Sequence, residues 1–299
     1  MSAAADPVLV EAACALCAAR SGRVRFRAGP FRVLACSGCG LTYVTPRVAD
    51  EALIERVYGA AYWRSPAARE RGYADYLGDA ELHLRTFERR RRSFARHFDR
   101  PGRVLDVGCA AGSFLAVMAR AGWRVRGVEP SPVARAWAAR QLGPGVVQEC
   151  RFEGADLMPE SFDLVTFWDV LEHLSDPLAA LRRARALLRP GGIALVETQN
   201  VDSLAARALG RRWHHYKHLE HLHHFQRATL ARAFRAAGLR PLGASARHAG
   251  KYVRGSFVVE RSARLHSALP RLLRPLFASG RRAFYVNPLD ELIALARRD

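Results

Sequence analysis

Between residues 101 and 200 short apolar, β-branched runs alternate with amphipathic stretches. The runs are RVLDVG (103–108), RVRGVEP (124–130), FDLVTFWDV (162–170) and GIALVETQ (192–199). Runs this continuous suit strands buried on both faces. Between them lie FLAVMARAG (114–122) and PLAALRRARALLRPGG (177–192), where Leu178, Leu181, Ala184 and Leu188 recur at helical spacing and Pro190-Gly191-Gly192 stops the helix. Alternation of this kind predicts an α/β fold, a Rossmann-like, doubly wound sheet with helices on both faces. Beyond it, the pattern predicts an amphipathic helix at 227–237 and a closing strand, ELIALAR, at 291–297.

The flanks read differently. Residues 1–46 carry cysteine pairs and end in CSGCGLTYVTP, where Pro46 terminates the strand-like LTYV. Residues 47–100 read as a helical lid or linker, with apolar positions at Leu53, Ile54, Val57 and Tyr58, and lead into a domain spanning 101–299. Within that domain, 201–285 reads as an elaboration on the substrate side.

The cysteines change the picture at the N-terminus. Cys14, Cys17, Cys36 and Cys39 form two C-x-x-C pairs separated by 18 residues. Each pair can curl into a turn that aims both thiolates at one ion, with the intervening segment as a short hairpin, so a structural zinc ribbon is expected. A disulfide framework is the alternative. It is disfavoured because MSAAADPVLVEAAC lacks the basic start and long apolar run of a secretory signal, and the compartment expected is the cytoplasm. No stretch approaches the ~20 apolar residues of a membrane span.

Charge adds a question about partners. The chain carries a formal net charge of +19, and residues 201–299 hold 19 Lys and Arg against 6 Asp and Glu. Such a balance suits nucleic acid, a phosphorylated substrate or an anionic membrane surface, and equally an Arg-rich solvated surface.

The strongest chemical signal is VLDVGCAAGSFL. An apolar strand runs into Asp106, Gly108 and Gly112 bracket a tight loop, and a helix begins at Ser113. Such a loop lets a ligand approach the backbone and meet the free N–H groups of a helix start. A dinucleotide loop would need glycine where the chain has Ala110 and Ser113. The segment resembles motif I of the class I S-adenosylmethionine (SAM)-dependent methyltransferases, with a seven-stranded sheet. Seventeen residues beyond Gly112, the next strand ends in Glu129, followed by Pro130; the Glu129 carboxylate could hold the ribose hydroxyls. FDLVTFWDVLEHLSDP and RPGGIALVETQN are similar to the fourth and fifth strands of the branch that includes ubiquinone-type O-methyltransferases, and CSGCGLTYVTP with YGAAYW resembles a zinc-ribbon-bearing subgroup. The resemblance implies that Asp169 lies near the methionyl part of the cofactor and that Phe152 and Glu153 pack near adenine. It also implies SAM as cofactor, with Asp106, Gly108, Ala110, Gly112, Glu129, Pro130, Phe152 and Asp169 around it.

Methyl transfer needs little beyond in-line positioning, but a hydroxyl acceptor also needs a base. The histidine-dense YKHLEHLHHF supplies the expected ones: Glu220 and His221, with His218, His223 and His224 behind them. Asp169, Glu172 and His173 form a second constellation that could hold a divalent metal or tie the loop to the sheet; on a helix Glu172 and His173 would diverge, which favours the structural role. The leading expectation is a SAM-dependent methyltransferase acting at oxygen, nitrogen or carbon of a small-molecule, sugar or lipid-linked acceptor. The alternatives are an RNA methyltransferase, whose asparagine-proline-proline-tyrosine and Pro-Cys signatures are missing, and a non-catalytic zinc-ribbon binding module.

Overall fold

The computed structural model describes residues 8–48, 60–63, 76–262, 268–277 and 283–299. The expected helical positions Leu53, Ile54, Val57 and Tyr58 lie outside them. Helices at Ala60–Trp63 and Ala80–Arg90 represent the segment between ribbon and sheet. Among the described residues, no helix is long and apolar enough to cross a membrane.

At the N-terminus, β1 (Leu9–Val10) pairs with β5 (Arg47–Val48), and between them β2 (Gly22–Ala28), β3 (Phe31–Cys36) and β4 (Thr42–Thr45) form an antiparallel meander. The hairpin expected between the cysteine pairs is β2–β3. Leu16, Leu34, Leu41 and Tyr43 are buried in the same apolar cluster as Leu105, Val107 and Phe225, so the ribbon packs into the core of the main sheet.

That core is built on β6 (Arg103–Val107), β7 (Arg124–Val128), β8 (Val147–Gln148), β9 (Phe162–Trp168) and β10 (Leu188–Gln199). A two-residue strand, β11 (His223–His224), joins β4 and ties the histidine-rich loop to the ribbon. Then come β12 (Arg240–Ser245), the hairpin β13 (Lys251–Arg254) and β14 (Ala283–Val286), and β15 (Glu291–Arg297). Among the described residues, seven strands form one sheet in the order β12-β15-β10-β9-β6-β7-β8, parallel except for the antiparallel contacts of β15 with β10 and β12. This is the Rossmann-like seven-stranded sheet expected from the alternating pattern. The chain leaves β6 toward β7 on one side and returns to β9 on the other, which opens a crevice at the carboxyl ends of β6 and β9.

Local signals account for the flanking helices. Ser113–Arg120 buries Phe114, Leu115, Val117 and Met118 against the sheet. Pro132–Leu142 and Pro177–Leu187 each begin with proline at the first turn, where its missing N–H costs nothing, and are capped by Ser131 and Asp176 side chains that accept from Ala134 N and Ala179 N. The expected helix at 227–237 is Arg227–Ala236, and the closing strand is β15.

Candidate active site

The crevice is a cavity of about 470 Å³, within the range of small-molecule sites. Its floor is the turn after β6. Gly108 and Cys109 both donate to the Val128 carbonyl, at 2.8 and 3.2 Å, which pins the loop to the end of β7. Gly108 (φ 65°), Ala110 (φ 49°) and Gly112 (φ 78°) all lie in the left-handed region. A Cβ at Gly108 would meet Val170 Cγ2 at 2.7 Å, and one at Gly112 would meet Leu142 Cδ1 at 2.8 Å. Gly112 therefore serves the packing of two helices, whereas Gly108 and Ala110 face the cavity.

Glu129 ends β7 and is buried. Its Oε2 accepts from Ala110 N and its Oε1 from Ser131 N, both at 2.9 Å. The carboxylate thus clamps the glycine turn to the start of the next helix and lines the cavity itself. Burial pushes its carboxyl up to about 7 despite those two N–H groups. Asp106, buried below, accepts from Thr166 Oγ1 at 2.6 Å. Desolvation, with a smaller contribution from the Glu129 charge, raises it to about 8 even though the Thr166 hydrogen bond pulls the other way.

Asp106 thereby makes stability depend on pH. The free carboxyl titrates near ~3.9, so the folded chain holds the Asp106 proton more tightly than the unfolded chain does. Its contribution is complete below that value and is lost as pH rises through about 8. The D106N variant removes the titration while keeping an acceptor for Thr166. Its melting temperature relative to the wild type is expected to climb between about pH 4 and pH 8, by up to ~1.4 kcal/mol of stability per pH unit, and to level off above that. A constant difference in thermal melts across that range would contradict the assignment.

The remaining expected cofactor residues also reach this cavity. Pro130 and Phe152 line it near Glu129, with Phe152 edge-on to Phe167 at 5.8 Å. Asp169 lines it from the end of β9, held at φ 53°, its N–H donating to the Glu197 carbonyl. Among the wall residues not singled out from the sequence for this role are Trp63, Tyr76, Phe87, Trp168, Arg90 and Lys251. Trp63 Nε1 donates to Ser131 Oγ at 2.8 Å, and Tyr76 stacks on His83 at 4.2 Å. Arg90 reaches Glu197 at 2.5 Å in a buried ion pair, and the partly exposed Lys251 reaches the buried Glu291 at 2.9 Å. The YGAAYW segment, which supplies Trp63, was the one sequence signal for this wall.

The bases expected at Glu220 and His221 do not line the cavity. Both are buried one layer behind it. Glu220 Oε2 lies 3.3 Å from Lys217 Nζ, and its carbonyl accepts from His173 Nδ1 at 2.8 Å. His221 donates Nδ1–H to the His215 carbonyl at 2.7 Å, and its ring meets that of His173 edge-on at 4.8 Å. His173 is the member of this group on the cavity wall, and burial lowers its imidazole to about 4. Among the described residues, the ligating atoms of Glu172, His173 and His221 lie within 4.8 Å of one another; Asp169 stands outside that group. His218 packs on Phe26, and His223 Nε2 meets the Leu174 carbonyl at 3.1 Å.

The four N-terminal cysteines converge. Cys14 Sγ is 3.3 Å from Cys39 Sγ and Cys17 Sγ is 3.4 Å from Cys36 Sγ. A disulfide would bring two sulfurs to ~2.05 Å, whereas four thiolates around one zinc stand about 3.8 Å apart. Burial raises the Cys14 and Cys39 thiols, whereas at Cys36 the hydrogen bonds from the Cys39 N–H, the Cys17 thiol and the Gly38 N–H outweigh burial and bring the group down to about 7.

Comparison with known proteins agrees with this geometry. A family profile described as a methyltransferase domain matches residues 79–243. The chain is 36% identical over 134 residues to a ubiquinone biosynthesis O-methyltransferase of Xanthomonas campestris pv. campestris, covering 39% of this chain and 56% of that protein. It is 34% identical over 154 residues to the protein of the same name from Xanthomonas euvesicatoria pv. vesicatoria, covering 46% and 62%. The chain thus spans little more than half the length of these curated relatives. In fold it is similar to the 1,6-didemethyltoxoflavin-N1-methyltransferase of Burkholderia thailandensis, with a TM-score of 0.53, 18% identity and coverage of 91% of this chain and 97% of that one.

Proposed function

The chain belongs to the methyltransferase domain family, and from that premise we propose that it transfers the methyl group of SAM to an oxygen, nitrogen or carbon of a small-molecule, sugar or lipid-linked acceptor. The observation that carries this reading is the clamp of Glu129 on Ala110 and Ser131, which holds a left-handed turn open at the carboxyl edge of a parallel sheet. The Xanthomonas relatives carry the name of an O-methyltransferase of ubiquinone biosynthesis, and the Burkholderia structure holds S-adenosylhomocysteine. Both support the same cofactor here.

Bound SAM would supply an electrophilic methyl group on a sulfonium. Around it, Gly108 and Ala110 let the backbone approach, and Glu129 offers its remaining lone pairs to the ribose hydroxyls. Pro130 and Phe152 present apolar surface for the adenine, and Asp169 an acceptor for the methionyl ammonium. Trp63, Tyr76, Phe87 and Trp168 exclude water from the acceptor end. For a hydroxyl acceptor the proton would go to His173 on the wall, with Glu220 and His221, the bases expected from the sequence, packed behind it and holding its ring through the Glu220 carbonyl and the edge-on His221 imidazole. The ribbon cysteines Cys14, Cys17, Cys36 and Cys39 would hold a structural zinc, with residues 1–46 as its module, 47–100 as lid and linker, and 201–285 as the acceptor-side elaboration.

Incubation with methyl-labelled SAM and a panel of phenolic, amine and sugar acceptors tests the reading. Label in at least one small acceptor is expected, and for a hydroxyl acceptor it is expected to fall steeply in H173A and by less in H221A, with SAM binding retained in both. Absence of transfer to every acceptor by protein shown to bind SAM would contradict it.

A further inference from the structure

A second cluster lies outside the cavity, where the histidine-rich loop meets the start of β15. His214 Nε2 and His215 Nε2 stand 3.9 and 3.7 Å from one atom, Asp290 Oδ2. His215 Nε2 is also 3.6 Å from Glu291 Oε1. These separations exceed hydrogen-bond lengths, yet they approach the roughly 3.4 Å that separates ligands on a tetrahedral ion with ~2.1 Å bonds. Two consecutive side chains turn to the same carboxylate, their rings 4.0 Å apart.

The surroundings have the form of a ligand shell. Asp290 is 1% exposed, and its Oδ2 accepts from Trp213 Nε1 at 2.9 Å, which fixes the carboxylate's orientation as the outer partners of metal ligands do. Asn200 N donates to the Asp290 carbonyl at 2.7 Å and anchors the same residue to the end of β10. His214 is 28% exposed, so one side of the cluster is open to solvent. Two imidazoles and one carboxylate suit a borderline divalent transition metal better than magnesium or calcium, which prefer oxygen.

We propose that His214, His215 and Asp290 bind a divalent transition metal such as zinc, with Glu291 beside it and an open coordination position toward solvent. The ion would crosslink the loop 213–224 to the base of β15. Through Glu291, which accepts from Lys251 Nζ, it would also set the position of a cation on the cavity wall. This inference goes beyond the methyl-transfer reading and does not depend on it.

The test is the zinc content of the full chain, loaded with zinc and gel-filtered, with C14S/C36S used to identify the ribbon's ion and E172Q that of any ion near His173. H214A and D290N are each expected to retain about one equivalent fewer than the wild type, with the deficit additive to that of C14S/C36S. In the C14S/C36S background, cobalt(II) is expected to give the weak visible absorbance of a nitrogen-and-oxygen site, lost in H214A. Should D290N fail to fold, H214A and H214Q decide, because the His214 side chain is partly exposed. Wild-type zinc content in folded H214A and H214Q would overturn the proposal.

Discussion

Replacing Glu129 by Ala is expected to weaken SAM binding by about 10²–10³-fold. The carboxylate acts twice. It would accept charge-assisted hydrogen bonds from the ribose hydroxyls, worth roughly 1.5–3 kcal/mol each, and it already accepts from Ala110 N and Ser131 N, which shapes the turn those hydroxyls would meet. E129A removes both and leaves two backbone donors without their acceptor, at a cost of about 1–3 kcal/mol for each that stays buried. E129Q retains one carbonyl oxygen and is expected to fall between. Calorimetric titration of wild type, E129Q and E129A reads the series. Equal affinities in all three folded proteins would remove Glu129 from the site.

The second large effect is expected at the ribbon. Structural zinc sites supply roughly 10–16 kcal/mol of apparent binding free energy to small modules, and here the module shares its core with the sheet. Leu34, Leu41 and Tyr43 lie in one cluster with Leu105, Val107 and Phe225, and β4 is the partner of β11. C14S/C36S is therefore expected to expose residues 8–45 to protease and to lower the melting temperature of the whole chain by ~10 °C, a loss of about 6 kcal/mol at this size. Strong chelation of the wild type should have the same effect. If only the ribbon becomes protease-sensitive and the main transition stays where it was, the two parts are energetically separate.

The sheet was legible because parallel strands buried on both faces read as unbroken apolar runs, and RVLDVG, FDLVTFWDV and GIALVETQ became β6, β9 and β10. The convergence of the four cysteines and the placing of Asp106, Gly108 and Glu129 at one sheet edge were legible for a similar reason: their geometry is local, fixed by a turn or by adjacent strand ends. What the sequence hid was the cavity's far wall. Trp63, Tyr76, Arg90 and Lys251 come from separate segments and meet only through long-range packing, and no periodicity marks them. Ala110 and Asp169 adopt left-handed backbone at positions where glycine would be the expected residue. Glu220 and His221 sit in a loop with no repeating face, so their residue types suggested a base while their depth behind His173 was set by contacts far along the chain. β11 is two residues long, too short for any alternation to announce it.

The most direct measurement is calorimetric titration of the purified chain with S-adenosylhomocysteine, paired with mass spectrometry of any small molecule it retains. Saturable binding to a single site, competed by SAM and lost in E129A, is the result the clamp geometry requires. A flat titration by well-folded protein free of retained ligand would contradict it.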